Sequence, residues 1–457
     1  MRKILVTLSI VVSLGLILAG GCGWSGYGVV QDILHNELRI SNLKFKIAKW
    51  CFNGLPFVDQ LGQIFDNKTY IVLLQNNREL RPSGGFMGSY ARFKVQGSGL
   101  KEFTVQDIYV PDGQIAGHID PPLSIQQAFG QGWWKLRDSN WDPDFTVAAP
   151  QIAWFFDQGG EKTDGLVAVN LSLVNNILQV LGEVKTTDYP EKISAQTFYD
   201  LAQKYAEVGF FPGSTQKRDF LGAVGNTLVN RIIKSSPVDK LKLAKLVWQQ
   251  LKQGEILLWF KDPNLEETVK RRQWDGGLGT PADDYLYIVE TNLGANKANC
   301  CITRQVTQEI NGSQEKVTIN YQNSNPFQNP KPPYFWGGNY INYLRVIIPA
   351  GAEVQGVKVA EQELEEKPLD NQFGLQEDRY QIEDRDEYKI IGFWAVVPAQ
   401  QSVTVELNYQ LSIVNSPFRV LVKHQPGIKD YPYKLVVDGG VVASDTIDRD
   451  KEYTWTK

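Results

Sequence analysis

The sequence is poor in the residues that build many kinds of functional site. Its 457 residues include only 3 His and 4 Cys, and no Cys-x-x-Cys or His-x-x-x-His pair occurs, so a zinc site is not expected. The formal net charge is −4 and no basic stripe is present, which argues against nucleic-acid binding. A Walker loop, a Rossmann fingerprint and a Ser-His-Asp signature are also missing. A chain of this length is too long for one core and predicts two or three domains.

The N-terminus carries the clearest signal, a long apolar segment without charge. Arg2 and Lys3 precede Ile4–Gln31, in which no charged residue occurs, and a bilayer span needs roughly 20 apolar residues. The positive-inside rule places the two cations in the cytoplasm and the bulk of the chain outside. Residues 1–31 therefore predict a single-pass transmembrane helix in the cell membrane. A lipoprotein signal with Cys22 lipidated and a cleaved secretory peptide are the alternatives.

Cysteine is sparse for an exported chain, so a disulfide scaffold is not expected. Cys300 and Cys301 are adjacent, and neighbouring cysteines seldom bridge without backbone strain. The prediction is therefore packed or free thiols, with a bridge from Cys51 to one of this pair as the alternative.

Hydrophobic periodicity divides the remaining chain into three parts. Residues 32–67 mix charge with amphipathic spacing and predict a helical stalk. Residues 68–275 alternate apolar strands with amphipathic helices and predict an α/β domain. Residues 280–457 lose the helical period, and their short runs of alternating polarity predict an all-β sandwich of antiparallel strands.

Individual elements can also be assigned from the sequence. In the α/β part, Leu171–Leu181 reads as a helix that stops at Gly182, and Ile256–Phe260 as a short strand. Residues 110–145 are rich in Pro, Gly, Asp and Trp and predict a long ordered loop.

The stretch "NNRELRPSGG" at 76–85 is the first candidate site because it follows a buried strand, and ligands of open α/β sheets bind at strand ends. Arg81 has the planar fork that pairs with phosphate, and Gly84 with Gly85 would let the backbone approach a ligand. The predicted binding residues here are Asn76, Asn77, Arg81, Gly84 and Gly85. The alternative is that Glu79 and Arg81 pair with each other or with neighbours and brace a tight turn.

A second candidate lies in "KLRDSNWDPDF" at 135–145. Its alternating carboxylates do not fit a calcium loop, since the sixth position is Pro143 and the twelfth is Ala149. Asp138 and Asp144 could still hold Mg²⁺ beside a phosphate. The alternative is that Asp144 or Thr146 caps the helix that follows.

A third candidate is the start of the helix within "STQKRDFLGAVGNTLVNRII". Lys217 and Arg218 stand at the N-terminus of this predicted helix, where backbone N–H groups and two cations would favour an anion. The alternative is a solvated first turn with an Arg218–Asp219 pair.

Several of these motifs resemble known families. "LLQNNRELRPSGGF", "LRDSNWDPDF" and "WDGGLG" resemble a bacterial family of exported, membrane-anchored proteins that is defined as a domain of unknown function. "DGLVAVNLSLVNNILQVLGEVKT" and "QKRDFLGAVGNTLVNRII" are similar to segments of the LytR-CpsA-Psr phosphotransferases. That similarity implies an α/β fold, a polyprenyl-pyrophosphate-linked glycan or cell-wall polymer as partner, and Mg²⁺ as cofactor. It places Arg81, Lys217 and Arg218 at the pyrophosphate, although "NNRELRPSGGF" replaces the Ser-Ile-Pro-Arg-Asp signature of those enzymes.

Two functional hypotheses follow. In the first, a membrane-anchored extracytoplasmic envelope protein binds, or transfers, a phosphorylated or polyprenyl-linked glycan, with Glu79 or Asp107 as a base. In the second, it is a non-catalytic binding or structural module whose sandwich engages polymer or partner proteins through aromatics such as Trp336, Tyr340, Tyr343 and Trp394.

Overall fold

A computed structural model describes residue 64 and residues 67–96, 99–208, 215–328, 337–412 and 417–456. The predicted anchor at 1–31, the stalk up to residue 63, Cys22 and Cys51 lie outside these ranges. Within them, no helix is long and apolar enough to cross a membrane.

The N-terminal part of the described chain mixes strands and helices. Its strands are β1 (Lys68–Asn76), β2 (Phe86–Gln96), β3 (Gly99–Asp107), β4 (Gly165–Asn170), β5 (Val184–Lys185), β6 (Lys192–Ile193) and β7 (Ile256–Phe260). Its helices are α1 (Tyr109–Asp112), α2 (Leu123–Phe129), α3 (Phe145–Gln158), α4 (Leu171–Leu181), α5 (Phe198–Glu207), α6 (Gln216–Lys234), α7 (Pro237–Lys252) and α8 (Pro263–Arg271). We call this part the α/β region.

The main sheet of the α/β region has the order β3-β2-β1-β4-β7, so β1 is its central strand. Only β1 and β4 run parallel, and the other three pairs are antiparallel. The alternating burial of β1 reflects its apolar sequence "YIVLL", whose side chains enter two different cores. The polar stretch after β1 therefore begins at the end of the central strand, as predicted.

Residues 110–145 are more ordered than a loop. They contain most of α1, all of α2 and a 3₁₀ turn, Leu136–Asp138. Pro122 comes directly before α2 and Gly130 ends it with a φ of 60°, which is the usual placement of these two residues at helix ends. The prediction of a long ordered loop was wrong in part. Helices of only one or two turns show no clear periodicity in a segment so rich in Pro and Gly.

The C-terminal part of the described chain is rich in strands. They are β8 (Asp284–Val289), β9 (Ile302–Asn311), β10 (Gln314–Asn323), β11 (Tyr340–Pro349), β12 (Glu353–Val359), β13 (Gln362–Glu363), β14 (Glu365–Glu366), β15 (Arg379–Arg385), β16 (Tyr388–Val397), β17 (Ser402–Gln410), β18 (Phe418–Lys423), β19 (Tyr431–Val437), β20 (Gly440–Ile447) and β21 (Lys451–Trp455). We call residues 284–456 the two-sheet region.

These strands form two seven-stranded sheets, of order β13-β12-β17-β10-β9-β19-β20 and β14-β15-β16-β11-β8-β18-β21. Apolar side chains from both sheets share one core. The prediction of a purely antiparallel sandwich was wrong. Three strand pairs are parallel, namely β18 with β8, β19 with β9 and β14 with β15.

The cysteine prediction needs a correction. Cys300 and Cys301 form a disulfide with each other, instead of remaining thiols. They lie in a 3₁₀ turn, Ala298–Cys301, that leads into β9. A tight local turn can bring two adjacent sulfur atoms together, which spacing along the sequence does not reveal.

Candidate functional site

Residues 77–85, here called the motif loop, connect the central strand β1 to β2. Gly84 has a φ of +131°, and a Cβ there would lie 2.5 Å from Oδ1 of Asn170 and 2.7 Å from Oε1 of Gln75. A Cβ on Gly85 would meet the backbone of Asn76 at 2.4 Å. The close approach that these glycines permit is therefore to the protein itself.

The motif loop joins the two regions of the molecule through its backbone. The amide of Asn292 donates to the carbonyl of Leu80, and the amide of Leu80 donates to Oδ1 of Asn299, at 3.0 and 3.1 Å. The amide of Asn299 in turn donates to the carbonyl of Arg78 at 3.1 Å. Leu80 is 1% exposed and belongs to the core of the two-sheet region. The loop is thus a hydrogen-bonded contact through which the two regions pack.

Arg81 lies within this connection and is 2% exposed. Its Nη2 is 3.3 Å from Oε1 of Glu79 and 3.3 Å from Oδ1 of Asp138. Its Nη1 donates to the carbonyl of Asn292 at 2.5 Å. Burial raises the pKa of Glu79 above the usual carboxyl range, although Arg81 opposes that shift. Arg81 and Glu79 therefore pair with each other, as the alternative interpretation of the sequence had it.

Further ion pairs extend this network, which we call the Arg81 cluster. Arg137 contacts Oδ2 of Asp138 at 3.5 Å and Oδ2 of Asp112 at 3.1 Å. Burial raises the pKa of Asp112. Each cation of the cluster thus faces two carboxylates, and little positive charge is left to attract a phosphate.

The Tyr109 ring links the cluster to the start of α6. Arg137 lies 5.3 Å and Lys217 5.8 Å from the centroid of this ring. Lys217 Nζ is 2.8 Å from Oδ2 of Asp107 and donates to the carbonyl of Gly88 at 2.7 Å. Arg218 pairs with Asp219 at 2.9 Å on a partly exposed turn.

The structure therefore brings Arg81, Glu79 and Asp138 together, with Lys217 and Asp107 forming a neighbouring pair. It does not show Arg218 in contact with them. The predicted phosphate-binding role of Arg81, Lys217 and Arg218 stays a prediction, and so do Glu79 and Asp107 as bases, but each of these cations already has a carboxylate partner.

Asp144 has a structural partner as well. Its Oδ1 accepts from the amide of Thr146 at 2.9 Å as the N-cap of α3, and its Oδ2 accepts from the amide of Leu278 at 3.4 Å. The cap interpretation is confirmed. In the part of the chain that the structure describes, no group of three or more His, Cys, Asp or Glu could hold a metal ion, so Mg²⁺ at Asp138 or Asp144 stays a prediction.

The opposite side of the motif loop lines a cavity of about 170 Å³ between the two regions. We call it the Arg78 pocket. The α/β region contributes Asn77, Arg78, Leu80, Leu171, Ser172, Asn175 and Tyr199, and the two-sheet region contributes Asn299, Cys300, Ile302, Arg304, Gly427, Ile428 and Lys429. These lining residues include three cations and no Asp, Glu or His.

Arg78 is the distinctive side chain of this pocket. Its guanidinium carbon lies 3.4 Å from the centroid of the Tyr199 ring, so one face of the guanidinium is covered by the ring. No ion pair of Arg78 occurs among the described residues, in contrast to Arg81. A stacked guanidinium keeps its donors in a fixed plane, which suits an oxyanion.

The other two cations differ in availability. Lys429 is exposed at the rim and donates to the carbonyl of Cys300 at 3.2 Å. Arg304 is buried beneath the pocket and pairs with Glu290, where Nη2 lies 2.9 Å from Oε2. Two cations, Arg78 and Lys429, are thus available to a ligand.

Polar atoms in the wall also lack partners. Oγ of Ser172 and Oδ1 of Asn175, both near the start of α4, are buried without a hydrogen bond within the described residues. Buried polar atoms are nearly always paired, so these atoms favour a ligand or water in the cavity. Asn77 forms part of the same wall, since its Nδ2 donates to the carbonyl of Gly427 at 3.1 Å.

Sequence analysis missed Arg78 although it lies inside the motif. The only local signal was that the motif carries two arginines, Arg78 and Arg81. Which one is buried depends on Tyr199, Asp138 and Asn292, which are distant in the sequence.

Comparison with protein families gives a match in the N-terminal part of the α/β region. Residues 66–206 match the family "Protein of unknown function (DUF4012)". The predicted relationship to a domain-of-unknown-function family is confirmed for this segment. No curated protein matches the chain.

Solved structures give weaker likenesses. Protein gbs0355 from Streptococcus agalactiae shows 10% identity and a TM-score of 0.30, covering 47% of this chain and 75% of its own. B. subtilis TagV shows 13% identity and a TM-score of 0.28, covering 46% of this chain and 81% of its own. Lin1025 from Listeria innocua shows 13% identity and a TM-score of 0.24, covering 45% of this chain and 98% of its own.

Proposed function

We propose that this chain is an extracytoplasmic, membrane-anchored envelope protein that binds the phosphate group of a phosphorylated or polyprenyl-linked glycan in the Arg78 pocket. The observation that carries the proposal is the charge of the pocket. Arg78 and Lys429 reach a cavity whose described lining contains no carboxylate, in a chain whose net charge is −4.

The size of the pocket limits what enters it. At about 170 Å³ it is smaller than the roughly 300–1,000 Å³ of typical small-molecule sites, so it suits a phosphate or pyrophosphate group with the rest of the ligand outside. The chemical class of the ligand comes from the resemblance of the sequence to the LytR-CpsA-Psr phosphotransferases.

Binding without transfer is the form of the proposal that the pocket supports. The described lining offers cations that can hold a phosphate and contains no Asp, Glu or His, so binding is proposed and transfer is not. Glu255 lies behind the wall, where Oε1 accepts from the amide of Gly427 at 2.9 Å, and burial raises its pKa.

The test is calorimetric titration of the full chain with inorganic pyrophosphate and with a short-chain prenyl pyrophosphate. A charge-assisted hydrogen bond contributes roughly 1.5–3 kcal/mol, so Arg78→Gln should raise Kd about 10- to 100-fold. Lys429→Gln should have a smaller effect because Lys429 is exposed.

Lys434→Gln is the matched control, because Lys434 is an exposed lysine on β19 outside the pocket. Equal loss of affinity in Lys434→Gln and Lys429→Gln would show that the effect of Lys429→Gln comes from the overall charge of the protein and not from the pocket. Absence of pyrophosphate binding to the wild-type chain would contradict the proposal.

A further inference from the structure

A second cavity, of about 240 Å³, lies elsewhere between the two regions, and we call it the Trp141 pocket. The α/β region contributes Pro122, Leu123, Ser124 and Trp141, all within the segment at 110–145. The two-sheet region contributes Tyr343, Arg345, Leu369, Gln381, Glu383, Ile390 and Gly392. None of these residues lines the Arg78 pocket.

The pocket has an aromatic wall. Trp141 and Tyr343 are stacked, with ring centroids 5.7 Å apart and an interplanar angle of 28°, and Trp394 supports Tyr343 from behind at 5.1 Å. Gly392 is required for this arrangement, since a Cβ there would lie 2.4 Å from the hydroxyl of Tyr343. Tyr343 is 2% exposed and Trp394 1% exposed, so Trp141, which is half-buried, is the ring of this wall that a ligand can reach.

Arg345 supplies a buried donor at this wall. It is 6% exposed, its guanidinium carbon lies 4.3 Å from the centroid of Trp141, and its Nη2 donates to the carbonyl of Trp141 at 2.8 Å. Its Nε has no hydrogen-bond partner, and no ion pair of Arg345 occurs within the described residues. A buried guanidinium with an unused donor favours an occupant that accepts a hydrogen bond.

Further planar polar groups surround the cavity. Nε2 of Gln381 donates to the hydroxyl of Tyr343 at 3.0 Å, which fixes the amide beside the ring. Glu383 stands exposed at the rim and accepts from Nη2 of Arg385 at 2.6 Å. Nη1 of Arg385 also donates to both carboxylate oxygens of Asp142, at 2.8 and 3.0 Å.

Charge distinguishes this pocket from the Arg78 pocket. The charged side chains at or directly behind it are Arg345, Arg385, Asp142 and Glu383, so the positive and negative charges are equal in number. A net-neutral site with both donors and acceptors disfavours an anion and suits a ligand with many hydroxyl groups, since each hydroxyl both donates and accepts.

We infer that the Trp141 pocket binds one uncharged sugar ring. The apolar face of the sugar would pack on Trp141, while Arg345, Gln381 and Glu383 would form hydrogen bonds with its hydroxyl groups. The cavity volume is below the roughly 300–1,000 Å³ of typical sites, which fits a single ring. This site is separate from the Arg78 pocket and does not depend on an anion being bound there.

The experiment is saturation-transfer NMR and calorimetry of the full chain with glucose, galactose, mannose and N-acetylglucosamine, each tested separately at millimolar concentration. At least one sugar should bind. Trp141→Ala should weaken its binding at least 10-fold, and Gln381→Ala, a half-buried side chain whose loss leaves the aromatic stack in place, should weaken it several-fold.

Trp133→Ala is the matched control, because Trp133 is an exposed tryptophan of the same segment that does not line the pocket, and it should bind normally. Arg78→Gln should also bind the sugar normally, so failure here and failure of the pyrophosphate site are distinguishable. No binding of any of the four sugars would overturn the inference. So would binding that survives in Trp141→Ala, or in a folded Gln381→Ala at wild-type affinity.

Discussion

Arg78 and Arg81 lie three residues apart in the motif loop, yet they have opposite surroundings. Arg81 is almost fully buried and faces Glu79 and Asp138. Arg78 faces an open cavity and the ring of Tyr199, with no carboxylate partner among the described residues. A positive charge whose attraction is already used in the folded structure contributes to specificity and packing, whereas an uncompensated one can contribute to binding.

The same contrast explains why a loop at the end of a central strand need not be a site as a whole. One side of the motif loop packs the two regions together through Leu80 and Arg81. The other side forms the wall of the Arg78 pocket. Substitutions on the two sides should therefore affect different properties, namely stability and ligand affinity.

The largest effect is expected for Arg81→Ala. Removing the arginine leaves Glu79 buried without its cation and Asp138 with Arg137 alone, and breaking a buried pair typically costs about 3–5 kcal/mol of unfolding free energy. Urea denaturation of the full chain measures this loss. Arg218→Ala, which breaks a partly exposed pair, should change the free energy by less than about 1 kcal/mol. Equal effects of both substitutions would contradict the structural role of Arg81.

A second substitution tests how tightly the two regions approach. A Cβ on Gly427 would lie 2.2 Å from the carbonyl oxygen of Gly84, so Gly427→Ala should force the motif loop and the 424–429 turn apart and cost about 1–3 kcal/mol beyond backbone strain. Gly439→Ala is the matched control, with nearly the same φ, +81° against +80°, and no atom within 4 Å of its Cβ. Equal losses of stability in Gly427→Ala and Gly439→Ala, measured by thermal unfolding, would show that the close contact is unimportant.

The two-sheet region offers carboxylates without a cation, for comparison with Glu79 and Asp138. Gln308 Nε2 donates to Asp284 at 2.7 Å and also to Glu315. Burial raises the pKa of Asp284 to about 6 and that of Glu315 well above its usual range.

Unfolded carboxyl groups titrate near pH 4, so the folded protein binds more protons than the unfolded one above that pH. The free energy of unfolding should therefore fall as the pH rises from about 4 through the folded pKa values. Glu315→Gln should reduce this fall by on the order of 1 kcal/mol, measured by urea unfolding at pH 4.5 and 7. Parallel behaviour of variant and wild type would show that the pair does not titrate in this range.

The smallest effect is expected for Lys217→Gln. Lys217 pairs with Asp107 in a partly exposed position, so the free energy of unfolding should change by about 0.2–1 kcal/mol. The affinity of the Lys217→Gln protein for pyrophosphate should stay at the wild-type value. A 10-fold loss of affinity would indicate that the anion site lies at the start of α6.

Local sequence signals predicted much of the fold. Helix α4 has the predicted bounds, Leu171–Leu181, because Gly182 stops it, and β7 was likewise predicted at Ile256–Phe260. Helices α1 and α2 were missed, since elements of four and seven residues barely show a period.

The candidate site was less predictable, because burial is decided by distant residues. The importance of the motif was evident from its glycines and charges, but Arg81 was favoured over Arg78. Nothing local indicates that Asp138 and Asn292 enclose Arg81, or that residues 427–429 complete a cavity beside Arg78. The Cys300–Cys301 disulfide was missed for a related reason, since it depends on a turn that spacing does not specify.

The most direct test of the account compares the two arginines of the motif loop. Pyrophosphate affinity would be measured by calorimetry for the wild type, Arg78→Gln and Arg81→Lys, the last of which retains the charge within the buried cluster. The account predicts a 10- to 100-fold loss in Arg78→Gln and an unchanged Kd in folded Arg81→Lys. Loss of affinity in Arg81→Lys with normal binding in Arg78→Gln would contradict it and return the anion to the Arg81 cluster.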